Sequence, residues 1–65
     1  MDEKQAAAVA EALGGDTWQS GGDIWLAILR RADGKIVVIS DEAVCEYESE
    51  DSFDRNSPLK TILLH

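Results

Sequence analysis

The chain has 65 residues, 45% of them apolar, with thirteen Asp and Glu against six Lys and Arg for a net charge of −7, which allows one small domain, residues 1–65, and no more. That charge argues against direct binding to nucleic acid or adhesion to anionic membranes, both of which draw affinity from Lys and Arg, and no apolar run reaches the roughly 18 residues of a membrane-spanning helix. A single cysteine, Cys45, with no basic-then-apolar leader, points to a soluble protein of a reducing, cytoplasmic compartment.

Residues 2–13, DEKQAAAVAEAL, place acids in a first turn, follow them with alanines and stop at Gly14-Gly15, the pattern of a helix. Val9 and Leu13 are its only large apolar side chains. Ala6 and Ala10 would therefore let it lie close on a sheet without anchoring it strongly.

In the next stretch, GGDTWQSGGDIW, the pattern Gly-Gly-Asp-x-Trp occurs twice. A two-residue turn at Gly21-Gly22 would set Gln19 opposite Ile24 and Trp18 opposite Trp25. The paired tryptophans are then either an apolar clamp over one end of the core or a half-exposed platform for a peptide or small planar ligand.

DIWLAILRRADGKIVVIS reads as two β-rich runs joined through Asp33-Gly34. Pairing around that turn sets Leu29 opposite Val38 and Ile28 opposite Ile39, with apolar side chains on both faces. Such strands should be central and covered on both sides. The helix supplies one cover; the C-terminal part or a second copy of the chain, in a homodimer, supplies the other.

The negative charge is concentrated in residues 41–54. Asp41, Glu42, Glu46, Glu48, Glu50, Asp51 and Asp54 lie between Ile36 and Asp54 without a base, so the rest of the chain is balanced at six acids and six bases. As a helix this segment would stack Glu42, Glu46 and Glu50 at i,i+4, each pair costing roughly 0.2–0.5 kcal/mol. As a strand, residues 43–49 turn Cys45 and Tyr47 inward and Glu46, Glu48 and Glu50 outward. The strand is expected, and with it a ladder of carboxylates about 6.6–6.8 Å apart. A charged edge strand protects a small sheet from aggregation. The functional counterpart is a docking surface for a basic protein partner, made of Glu42, Glu46, Glu48, Glu50, Asp51 and Asp54. Its alternative form is imitation of a phosphate backbone to inhibit a DNA- or RNA-binding protein, and a small-ligand site at Trp18 and Trp25 is a further alternative.

No cofactor and no metal site is expected. The run Asp51 to Asn56 lacks the glycine and closing Glu of a calcium loop. Nor is an enzyme expected: the sole histidine, His65, is the last residue, and Cys45 fits best as a small inward-facing apolar group. After a loop over residues 54–58, LKTILLH reads as a last strand in which Leu59, Ile62, Leu63 and Leu64 complete the core. The expected fold is α+β: an N-terminal helix packed on a mainly antiparallel sheet of four or five strands made of consecutive hairpins.

Overall fold

The structure, a computed structural model, describes residues 1–64; the reading of His65 lies outside them. It is the expected α+β arrangement. Helix α1 (Glu3–Leu13) is followed by β1 (Asp16–Gly21), β2 (Ile24–Arg30), β3 (Ile36–Ile39), β4 (Ala43–Tyr47), a short helix α2 (Glu50–Asp54) and β5 (Lys60–Leu63). The strands form one open antiparallel sheet in the order β1-β2-β3-β4-β5.

Asp2 starts α1 as its cap: its carboxylate accepts the Gln5 N–H at 2.8 Å, and the Gln5 side chain accepts the Asp2 N–H at 3.2 Å. Reciprocal capping satisfies backbone donors that a helix start leaves open. The helix lies across β1 and β2 and buries Ala6 and Ala10, while Ala27 of β2 is buried too. Three methyl-sized contacts bring the backbones together, as the alanine pattern implies, and Leu13 remains exposed. Gly15 makes the closest approach. A Cβ there would lie 2.3 Å from the Ile28 carbonyl oxygen, so only glycine fits.

Two registers differ from expectation by one residue, and each has a local cause. The turn falls at Gly22-Asp23 instead of Gly21-Gly22, so Gly21 pairs with Ile24, and Ser20 is an extra residue in a bulge that takes back one residue of that shift, leaving Gln19 opposite Trp25 and Trp18 opposite Leu26. The Trp18–Trp25 cross-strand pair is therefore corrected: the two indoles lie on opposite faces of the sheet. A slip of one residue has this effect because side chains alternate along a strand. Between β2 and β3 the loop has three residues, not two. The Gly34 N–H donates to the Arg31 carbonyl at 3.0 Å and the Arg31 N–H to the Lys35 carbonyl at 2.8 Å, with Gly34 at φ +90°. A turn followed by a left-handed glycine is a standard three-residue hairpin. It sets Ile28 opposite Val38 and Leu29 opposite Val37, not the Leu29–Val38 and Ile28–Ile39 pairs expected.

The corrected registers sort the side chains. One face gathers Ile28, Ile36, Val38 and Tyr47 into the core, with Leu26, Cys45 and Phe53 packed against it. The opposite face carries a row running from Ala27 through Ile39 and Val44 to Ile62. Helix α1 covers this row at β2. The last strand forms as expected, but Leu59, Ile62, Leu63 and Leu64 are exposed and do not complete the core. β5 pairs with β4, and all four of its residues are exposed.

Candidate functional site

The acidic stretch divides into three pieces. Its strand ends at Tyr47, with Val44 and Glu46 on one face and Cys45 and Tyr47 on the other. A bend follows at Glu48 and Ser49, and α2 begins at Glu50. Ser49 caps this turn by accepting the Ser52 N–H at 3.3 Å, and Glu50 and Asp51 sit in the first turn, where a helix start favours negative charge. The outward ladder of Glu46, Glu48 and Glu50 is thus corrected: only Glu46 stands on the strand. β4 is also no edge, since β3 and β5 flank it. The i,i+4 carboxylate repulsion is avoided because the helical turn starts only at the last of the three glutamates.

Nor is the segment without cations. All three arginines of the chain engage carboxylates. Arg31 Nη1 lies 3.0 Å from Glu46 and its Nη2 3.2 Å from Asp33, Arg55 pairs with Asp51, and Arg30 Nε donates to Glu50 at 2.7 Å. Arg30 Nη1 also reaches Asp16 at 3.2 Å, so one guanidinium ties β1, β2 and α2 together. These pairs are solvent-exposed, and each adds at most about 1 kcal/mol. Their larger effect is on where negative charge remains.

The aromatic side chains place α2. Phe53 meets Trp18 edge to face with centroids 5.7 Å apart, and Tyr47 likewise at 5.3 Å. Tyr47 is buried, and that burial raises the pKa of its phenol above the ordinary 10.0; the neighbouring Cys45 adds to the rise by its charge and by a hydrogen bond. Cys45 is half-buried and its sulfur lies 3.7 Å from the Thr61 hydroxyl, the inward position expected for it.

Above Phe53 opens a shallow groove of about 200 Å³ lined by Trp18, Arg30, Glu50, Phe53 and Asp54. Trp18 is 45% exposed there. Counting Asp16 on the far side of Arg30, the groove and its rim hold three carboxylates, two of them paired with the one guanidinium, for a formal local charge of −2. A second groove, about 280 Å³, lies beside Met1, Ile24, Leu26, Ser40, Asp41 and Glu42. Asp41 there lies 2.6 Å from the Met1 amino nitrogen.

The candidate residues are therefore gathered only in part. Trp18, Glu50 and Asp54 converge on the first groove, with Asp51 on the same short helix. Glu46 is held by Arg31, and Glu48 is exposed at the bend. Glu42 stands at the opposite end of β4, five residues of strand or about 17 Å from Tyr47, and Trp25 faces away on the other side of the sheet. Arg30 and Asp16 were not anticipated. Their link to Glu50 spans separations of fourteen and twenty residues, and no local pattern announces such a contact.

Among the described residues no group of three or more His, Cys, Asp or Glu side chains is placed to hold a metal ion, and no helix is long and apolar enough to cross a membrane. No family model matches the chain, and no curated protein or solved structure matches it.

Proposed function

We propose that the protein is a non-enzymatic interaction module that docks a basic protein partner, with a Lys or Arg side chain of that partner seated in the Trp18–Phe53 groove. The observation that carries this reading is the convergence of an exposed indole with Glu50 and Asp54 in a chain of net charge −7. A cation over an indole face gains about 0.5–1 kcal/mol at an exposed site and more when water is excluded, and carboxylates beside the ring attract the same charge. Arg30 offsets part of this attraction, but the carboxylates of Asp16, Glu50 and Asp54 outnumber it. The exposed Glu42 and Glu48 speed encounter with an opposite charge rather than fix a register.

Imitation of a phosphate backbone has less behind it. That reading drew on the even spacing of a glutamate ladder, and α2 replaces the ladder beyond Glu46. A small-ligand site built on both tryptophans likewise loses its basis, since Trp25 lies on the opposite face. A lone half-buried thiol suits a reducing compartment, and the cytoplasm is the location we propose.

Titration of a Lys/Arg-rich peptide into Trp25→Phe protein, where Trp18 is the sole indole, tests the docking. The indole emission should change saturably, the affinity should fall steeply from low to high salt, and Asp54→Asn should weaken it. Binding indifferent to both salt and Asp54 would refute the reading.

A further inference from the structure

We propose that the free edge of β5 is the contact between two copies of this chain, which pair antiparallel about a two-fold axis passing beside Ile62 to continue the sheet. The two edges of the sheet are unlike. β1 carries Asp16, Gln19 and the Ser20 bulge, devices that blunt an edge against pairing. β5 pairs in unbroken register with β4 from Lys60 to Leu63, and the exposed residues here include Leu59, Ile62 at 49%, Leu63 at 71% and Leu64, with Lys60 as the one charge.

Which groups point outward follows from one hydrogen bond. The Leu64 N–H donates to the Glu42 carbonyl at 2.9 Å, so by the alternation of an antiparallel ladder the N–H and C=O of Ile62 also face β4. Those of Thr61 and Leu63 then face away, without a strand beside them. A two-fold axis perpendicular to the sheet keeps each face continuous and therefore pairs only residues of the same parity. Pairing Thr61 with Leu63 of the second copy, and Leu63 with its Thr61, satisfies both conditions and makes four hydrogen bonds. Ile62 then sits opposite itself as the close, non-hydrogen-bonded pair at the centre. The row Ala27–Ile39–Val44–Ile62 would run unbroken into its copy.

Charge selects a second copy as the occupant. Residues 55–64 hold Arg55 and Lys60 and no acid, so two chains of net charge −7 meet where their repulsion is least. In this register Lys60 stands opposite Leu64 of the second copy, whose neighbour on β4 is Glu42. Each Lys60 thus comes within reach of a carboxylate across the axis, twice per dimer.

Mass measurement by light scattering, combined with cysteine cross-linking, tests this pairing independently of the Trp18 groove. The chain should reach twice its monomer mass at high micromolar concentration. Leu63→Pro removes an outward N–H without touching β4, and should raise the dissociation concentration at least tenfold while circular dichroism stays native. In a Cys45→Ala background, Ile62→Cys should oxidise to a dimer at least ten times faster than Leu64→Cys. The first lies opposite its copy within disulfide reach, whereas the second lies four residues, about 13 Å, from its own. A monomer at millimolar concentration, a dimer that Leu63→Pro leaves intact, or equal rates for the two cysteines would each overturn the proposal.

Discussion

Trp18 and Phe53 meet edge to face, their ring centroids 5.7 Å apart and their planes 80° from each other. The contact joins the first strand to the second helix, and it explains how five residues remain helical. A helix so short has no stability of its own. With Phe53 held between Trp18 and Tyr47, the backbone that carries Glu50 and Asp54 is held as well.

Phe53→Ala should therefore remove both fold stability and the groove. Phe53 is only partly buried, so the cost should fall somewhat below the values for fully buried Phe, at about 2–3 kcal/mol. Urea unfolding gives the stability. Binding of a basic peptide by the folded variant should drop more than that of Leu13→Ala, an exposed position outside the groove.

Arg30→Gln separates charge from architecture. Both of its ion pairs are exposed, so stability should change by less than about 1 kcal/mol. Removing the guanidinium takes the local charge from −2 to −3, and a basic peptide should bind more tightly at low salt. That gain should vanish at high salt, which isothermal titration at two ionic strengths will measure.

Gly15→Ala should be among the most damaging small substitutions in the chain. The new methyl would fall 2.3 Å from the Ile28 carbonyl oxygen, a backbone atom that cannot swing aside. Separation of α1 from β2 should cost about 2–3 kcal/mol, read as a lower denaturation midpoint.

How much of this was legible in the chain depends on the range of the interaction involved. The helix with its glycine stop, the antiparallel sheet of consecutive hairpins and the inward Cys45 and Tyr47 follow from local pattern. Registers did not, because a turn placed at Gly22-Asp23 together with a bulge at Ser20, and a third loop residue at Ala32–Gly34, each leave the pairing displaced by one, and composition around a Gly-Gly or Asp-Gly cannot count them. The ladder failed for a related reason. Alternation from Ala43 to Ser49 fits a strand throughout, but Ser49 caps a helical turn that is held by the contacts of Phe53 with Trp18 and Tyr47. The groove itself depends on that long-range packing. Only Trp18, Glu50 and Asp54 could be singled out beforehand, while Arg30 and Asp16 emerge once the strands are in place.

Tyr47 makes the stability of the fold depend on pH. Burial raises its pKa above 10.0, with Cys45 adding to the rise, so the folded state holds the phenolic proton more tightly than the unfolded chain does. This contribution is fully present below about pH 10 and is lost as pH climbs through the raised folded value. Stability measured by urea from pH 8 to 11 should fall at the alkaline end, and Tyr47→Phe should flatten that part of the fall.

Docking of a basic side chain against Trp18 is best tested by following amide and indole chemical shifts during titration with a lysine-rich peptide. The Trp18 indole N–H and the backbone amides of Ser52, Phe53 and Asp54 should shift first and saturate together, with residues near Glu42 moving little. Shifts spread evenly over all exposed carboxylates, or centred on Glu42 at the far end of β4, would contradict it.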